Sequence, residues 1–408
     1  MRTMFRKITA CVILILSTCS AYSAEWKIDP MLRFRAGYND NLNLDTRNEV
    51  STAEATFSPS AVFSVATPTS GASGNVHFDF RRFESDSNLN DNNSRFKLNA
   101  FRNLERSRLS LDLGFIKDTT LDSQLEATGL AFGRKRRQSF TVSPNWIYTF
   151  NERTRISANY SYRDVNYLNP DNVRFIDFTA NSGQASLTRV MNEKTTASLT
   201  LSGSQSDSDN NVKSVNINLQ GGASYQFNET LSGSLFVGAR RTKTDFSRTS
   251  QIFIFSGNNP NPIGVILLPS SVTNRSSGVT FSTSLTKSFL RGEIGLSASR
   301  DTSNDINGQP IVVTRLSSSN LYRFSDILSA NLRLEYYNSQ SNDNVGSSLN
   351  RNYIQIEPGF NWALKKFWSL SGSYRYRKQT FDSIKDDATQ NAAYLTLTYR
   401  WPRIAVSR

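Results

Sequence analysis

A lone histidine and a recurring arginine are the chemical signals in this 408-residue chain. His77 stands two residues before Asp79. On an extended strand the two share one face, where a carboxylate–imidazole pair could activate a water. No second histidine exists for a paired-histidine metal site, and no nucleophile motif accompanies the pair. Catalysis finds little support, and no enzyme activity, cofactor or metal is expected. Arginine recurs at Arg33 and Arg35, at Arg375 and Arg377, and at Arg81, Arg163, Arg240, Arg333 and Arg400. Each falls on the polar side of an apolar–polar alternation. The planar guanidinium fork matches carboxylate or phosphate. Asp79, Asp112, Glu293, Glu335 and Glu357 share the same parity. An arginine of this set can therefore bind an external anion or pair with a carboxylate of its own wall, and both readings stand.

Two further clusters invite ligands. Arg134, Lys135, Arg136 and Arg137 form a basic run that could contact lipopolysaccharide phosphates. Asp- and Asn-rich stretches at 85–93, 206–211, 301–308 and 338–344 resemble cation loops in composition. The stretch at 303–308 partly imitates a calcium loop but lacks the closing glutamate, so solvated loop is the expectation there.

The elements that must position these residues are strands. Leu109, Leu111, Leu113 and Phe115 alternate with Ser110, Asp112 and Gly114. Leu328, Ala330, Leu332, Leu334 and Tyr336 alternate with Ser329, Asn331, Arg333 and Glu335. The period is two, with no amphipathic helix after the N-terminus. About 18 such segments (about 16–18) of roughly ten residues are spaced by alternating short and long connectors. Parity weakens near Gly183 and Ser317, which points to bulges or miscounted strand edges there. The fold class expected is all-β: a transmembrane antiparallel outer-membrane β-barrel over 31–401, with short periplasmic turns and long extracellular loops. Trp146, Phe150, Tyr225, Phe227, Phe360, Trp362 and Trp368 fall beside the short turns, as an interfacial belt would. The apolar parity then faces lipid and the arginines line a polar lumen. The longest connector, 245–275, carries apolar runs at 252–255 and 263–268; folding inward as a constriction and extending the wall outward both fit it.

The N-terminus reads as an export signal over 1–23. Arg2, Arg6 and Lys7 precede the apolar run Ile8–Leu16, and Ala21 and Ser23 take the small-residue positions of a cleavage site. Cys19 offers an alternative lipidation site, although Thr18 departs from that pattern. Removal of 1–23 takes both cysteines, Cys11 and Cys19, and disulfide and thiolate chemistry with them. The net charge, +13 for the whole chain and about +10 once Arg2, Arg6 and Lys7 are removed, points to acidic polysaccharide or lipid phosphate outside the cell rather than to nucleic acid. Residues 24–30 are expected as a short periplasmic lead-in. Pro402 is expected to end the last strand and leave 402–408 as a periplasmic tail. The final alternation Ala393, Leu395, Leu397, Tyr399 and Trp401 resembles the assembly signal of bacterial outer-membrane barrels, implying recognition by the barrel assembly machinery.

The first strand ends in Gly37-Tyr38-Asn39-Asp40-Asn41-Leu42. In a chain of this layout the segment resembles the outer-membrane β-barrel family associated with exopolysaccharide export, including its PEP-CTERM/exosortase-associated members. The resemblance implies a Gram-negative outer-membrane pore for a secreted exopolysaccharide. It also implies a periplasmic polysaccharide-export protein as partner. A general or solute-specific porin and a structural or adhesive surface barrel are the competing expectations.

Overall fold

The computed structural model describes residues 25–120, 135–168, 175–255, 262–304, 310–341, 350–381 and 386–407. The expected export signal and Cys19 lie outside them.

Antiparallel strands account for almost all of the described chain. They are β1 (Glu25–Asn39), β2 (Thr52–Ala66), β3 (Ser70–Phe83), β4 (Asp91–Asn103), β5 (Ser107–Thr119), β6 (Arg136–Asn151), β7 (Thr154–Tyr167), β8 (Phe178–Asn192) and β9 (Thr195–Ser208). They continue as β10 (Val212–Asn228), β11 (Leu231–Phe255), β12 (Pro262–Phe289), β13 (Gly292–Asn304), β14 (Pro310–Arg323), β15 (Leu328–Ser341), β16 (Arg351–Lys365), β17 (Trp368–Phe381), β18 (Asp387–Arg400) and the short β19 (Ile404–Ser407). Each long strand pairs with its sequence neighbours. β1 closes the ring by pairing β2 on one side and β18 on the other, from Met31 opposite Arg400 to Asn39 opposite Ala392. Closure leaves β1 and β18 without an open edge over Met31–Asn39, which a wall in lipid requires.

The side-chain alternation sorts the two faces. Ile217, Leu219, Leu235, Val237, Leu296 and Leu316 are exposed on the outside, while the intervening residues turn inward. An exposed apolar band around a closed barrel is the outer-membrane architecture. An aromatic girdle rims the short-turn end: Trp146, Tyr148 and Phe150 pack in a row, as do Trp368, Tyr399 and Trp401. The turns themselves repeat one device. Asn151, Asn192 and Asn228 each close a strand, and each side-chain oxygen accepts the backbone N–H two residues on, at 3.0 Å. This Asx turn reverses the chain in two residues.

Several boundaries differ from the sequence expectation. β1 starts at Glu25, not Met31, and residues 25–30 pair with β2 throughout. Pro402 interrupts the last strand, as a missing N–H dictates, but 404–407 resume pairing against Glu25–Ile28. The expected lead-in and tail therefore build a small two-strand extension of the wall. No register shift occurs at Gly183 or Ser317; both hold regular register with their neighbours. The 206–211 stretch is half strand, ending β9 at Ser208 and turning through 209–211 with Asn211 at φ 60. The backbone of 245–275 extends the wall outward: β11 and β12 stay paired up to Phe255 opposite Pro262. The 303–308 stretch falls mostly outside the described residues.

Candidate functional site: an arginine-lined lumen under an inward loop

All nine arginines picked from parity sit on inward-facing positions, but only five converge. Arg35 (β1), Arg81 (β3), Arg333 (β15), Arg375 and Arg377 (β17) line one lumen cavity of about 480 Å³. Arg33 and Arg400 lie nearer the short-turn end, opposite Thr398 and Met31. Arg163 lines a separate recess with Lys97, Asn99 and Asp112. Arg240 is buried against β12: its guanidinium lies where a Cβ on Gly278 would crowd it, and it donates to Thr242 Oγ1 at 3.3 Å. The register puts Gly278 opposite Arg240, so that glycine is a close-approach position.

Two arginines were missed. Arg95 (β4), opposite His77, and Arg315 (β14) also line the cavity. Arg95 was legible, since Asn93, Arg95, Lys97 and Asn99 keep an inward parity. Arg315 was hidden because Ile311 and Val313, four and two residues away, are apolar yet face inward.

The arginines divide by what they touch. Arg35 donates to Glu54 Oε1 at 2.5 Å and stacks over the Tyr394 ring, 4.6 Å from its centroid. Arg375 grips Glu357 with both prongs, Nε to Oε2 at 2.9 Å and Nη2 to Oε1 at 3.1 Å, and lies 5.3 Å from the same ring. These two are neutralised and fixed. Arg377 meets only amides: Nε donates to Gln355 Oε1 at 2.8 Å and Nη1 to Gln390 Oε1 at 3.3 Å. Arg95 and Arg333 have no hydrogen bond or ion pair among the described residues. The cavity thus holds cations without matching carboxylates, although Glu335 also lines it.

His77 does not form a catalytic relay. Its Nε2 lies 2.9 Å from Asp79 Oδ1, and Ser58 Oγ donates to that same oxygen at 2.5 Å. The hydroxyl is held by the carboxylate rather than by the imidazole, which is not the order of a serine–histidine–carboxylate relay. Among the described residues no cluster of His, Cys, Asp and Glu is suited to a metal ion.

The roof of the cavity comes from the segment that followed β1. Asn39 Oδ1 accepts the Asn41 N–H at 3.1 Å and starts a turn. Asp40 takes the backbone and side-chain N–H of Asn391 at 2.6 and 2.8 Å. Asn41 is fully buried; its amide donates to the carbonyls of Asp45 and Thr389 at 2.8 and 2.9 Å. Leu42 lines the cavity. Leu44, at φ 49, enters an inward-facing apolar socket of Ile311 and Val313 (β14), Tyr337 (β15), Tyr353 (β16) and Ala388 (β18). Parity reasoning assigned apolar residues to lipid; here they are inward because the loop gives them something to pack against. A second inward apolar group, Val165, Tyr167 and Phe178 with Phe175, stands at the long-loop end of β7 and β8.

The basic run at 134–137 is not one patch. Arg134 lies outside the described residues, and Lys135 N–H donates to Thr120 Oγ1 at 2.9 Å. Strand alternation then sends Arg136 and Arg137 to opposite faces. Arg137 is largely buried and bidentate on Asp118, at 2.9 and 3.2 Å. Only the exposed Arg136, which donates to the Asn90 carbonyl at 2.8 Å and lies 3.6 Å from Asp91, is left to meet lipid phosphate.

No protein-family model matches the sequence, and no curated protein does. Among solved structures, the chain is similar to OccK5 (OpdH) of Pseudomonas aeruginosa, 14% identical over 92% of this chain and 98% of that one, with a TM-score of 0.46. It is similar to OccK2 (OpdF) of the same organism at 11% identity, 92% and 97% coverage and a TM-score of 0.48. It is similar to OccAB3 of Acinetobacter baumannii at 10% identity, 93% and 99% coverage and a TM-score of 0.46. Likeness of this degree carries no residue correspondence, and the site stands on its own geometry.

Proposed function

We propose that this barrel is an anion-selective outer-membrane channel. Its permeant is the acidic sugar of a secreted exopolysaccharide, handed over by a periplasmic polysaccharide-export protein. The observation that carries the anion preference is the presence of Arg95, Arg333 and Arg377 in one lumen cavity without carboxylate partners. Arg35 and Arg375, neutralised and stacked on Tyr394, shape the wall beside them. In a confined lumen with low-dielectric walls such cations concentrate anions well beyond the bulk. The polymer and the export direction rest on the resemblance carried by the 37–42 segment. A polymer would pass only with the 40–45 loop lifted.

The inward loop favours one other reading, a channel for small anionic solutes, since a loop folded over the mouth narrows it. Reconstituted protein separates these readings. An anion-directed reversal potential supports the channel in either form. Block by acidic oligosaccharide from the periplasmic side, with loss of secreted polymer in a deletion strain, supports export. Unchanged secretion with impaired uptake of small anions supports the solute channel. Cation selectivity overturns both.

A further inference from the structure

Two adjacent rungs of the lumen wall differ by a single charge. In one, Arg375 Nε donates to Glu357; in the next, Arg377 Nε donates in the same manner to Gln355, directly opposite it. The amide takes the place of a carboxylate but brings no charge. Arg377 is thereby satisfied in hydrogen bonding and left short of an anion. Arg333 lines the same cavity opposite Glu357 in register, with no hydrogen bond or ion pair of its own among the described residues.

The amides that hold Arg377 also hold the loop. Gln390 accepts from Arg377 Nη1 and donates its Nε2 to the Asn41 carbonyl at 2.5 Å. Gln355 accepts from Arg377 Nε and from the Tyr353 hydroxyl at 2.7 Å, and Tyr353 is a wall of the Leu44 socket. Two of the loop's attachments, the Asn41 carbonyl and the Leu44 socket, therefore lead to one guanidinium through one side chain each, while Asp40 on Asn391 and the Asn41 amide on Thr389 hold the loop independently of it. Gln379 adds a reason for the loop to be bistable. It lies between Tyr353 and Ala388 in register, fully buried, and neither its Nε2 nor its Oε1 has a protein partner. Lifting the loop would hydrate that amide.

We propose that Arg377, with Arg333 beside it, is a carboxylate-binding site for a uronate-type sugar acid, and that occupation of this site releases the 40–45 loop. A bidentate carboxylate takes one edge of Arg377, either Nε with Nη2 in place of Gln355 or Nη1 with Nη2 in place of Gln390. The guanidinium turns to the carboxylate, Gln390 loses the donor that orients its bond to Asn41, and Gln355 is left on the Tyr353 hydroxyl and Glu357. A ligand moves such an equilibrium only by binding the lifted state better, and the guanidinium freed from its amides supplies that difference. This inference rests on the anion-channel reading and deepens it.

The test uses the full chain in liposomes with one buried reporter in the socket wall, Ala388→Cys, which leaves the loop untouched. Modification by a water-soluble maleimide is followed with sodium glucuronate, with glucose, or with neither. Glucuronate is expected to raise the rate about tenfold, the signature of a decade's shift in the loop equilibrium, while glucose leaves it unchanged. Arg377→Gln in the same background abolishes the rise. Gln390→Leu gives fast modification without ligand, because the tie to Asn41 is gone. Equal rates with and without glucuronate, in a protein whose reversal potential is still anion-directed, overturn the coupling and leave the channel reading intact. Loss of anion selectivity itself is the failure of that reading.

Discussion

The Tyr394 ring fills the space that a side chain on Gly37 would need. The two residues are directly opposed in register, and a Cβ at Gly37 would fall on the ring. Flattened against β1, the ring offers its face to Arg35 and Arg375, which come from the strands on either side of β18.

Gly37→Val should therefore act on permeation before it acts on folding. The displaced ring would no longer hold two guanidinium groups, each cation–π contact being worth about 0.5–1 kcal/mol or more. The expected result is a folded, heat-modifiable barrel with broadened conductance levels, read in planar bilayers. A single sharp level like that of the parent would contradict the role given to Tyr394.

Arg95 and Arg333 are predicted to set selectivity. The double variant Arg95→Ala with Arg333→Ala should lower the anion-to-cation permeability ratio several-fold at 0.1 M salt, where the screening length is about 10 Å. At molar salt, with screening over about 3 Å, variant and parent should converge. Arg35→Ala is expected to change selectivity less, because Glu54 already neutralises Arg35. Equal losses from paired and unpaired arginines would refute the division.

Leu44 holds a left-handed backbone that a leucine adopts only under constraint, and its socket is the constraint. Leu44→Ala empties the socket, a change of about 2–5 kcal/mol when a buried leucine is truncated. Because the wall strands are paired on both sides independently of the loop, that loss should unseat the loop rather than unfold the wall. Mean open time in single-channel records should rise, with the urea midpoint of the barrel nearly unchanged. A lowered midpoint without longer openings would mean the loop is part of the barrel's own stability.

The membrane face is tested by a pair of neighbours on β10. Leu219 points outward and is half exposed, while Gln220 points into the lumen. Leu219→Arg should cost about 2–4 kcal/mol in folding into lipid vesicles, and Gln220→Arg close to nothing. The opposite order would reverse the two faces of the barrel.

The strands, their number and the face each residue takes were set by local sequence. A period of two needs no partner to be read, since successive side chains on any strand oppose one another. All eighteen long strands and the inward placement of all nine chosen arginines follow from that rule. Arg377 and Gln390 could be placed on one face in this way, but their contact with each other and with Asn41 could not. It depends on the lateral register of β17 and β18 and on the ring closing through β1. The inward turn of 40–45 was equally hidden: Leu44 had no periodic neighbours, and Ile311 and Val313 looked like lipid-facing residues out of phase. What an apolar side chain packs against is decided by atoms far away in the chain. Only closure of the barrel brought Leu44 to its socket, and with it the link between an arginine in the lumen and the loop over its mouth.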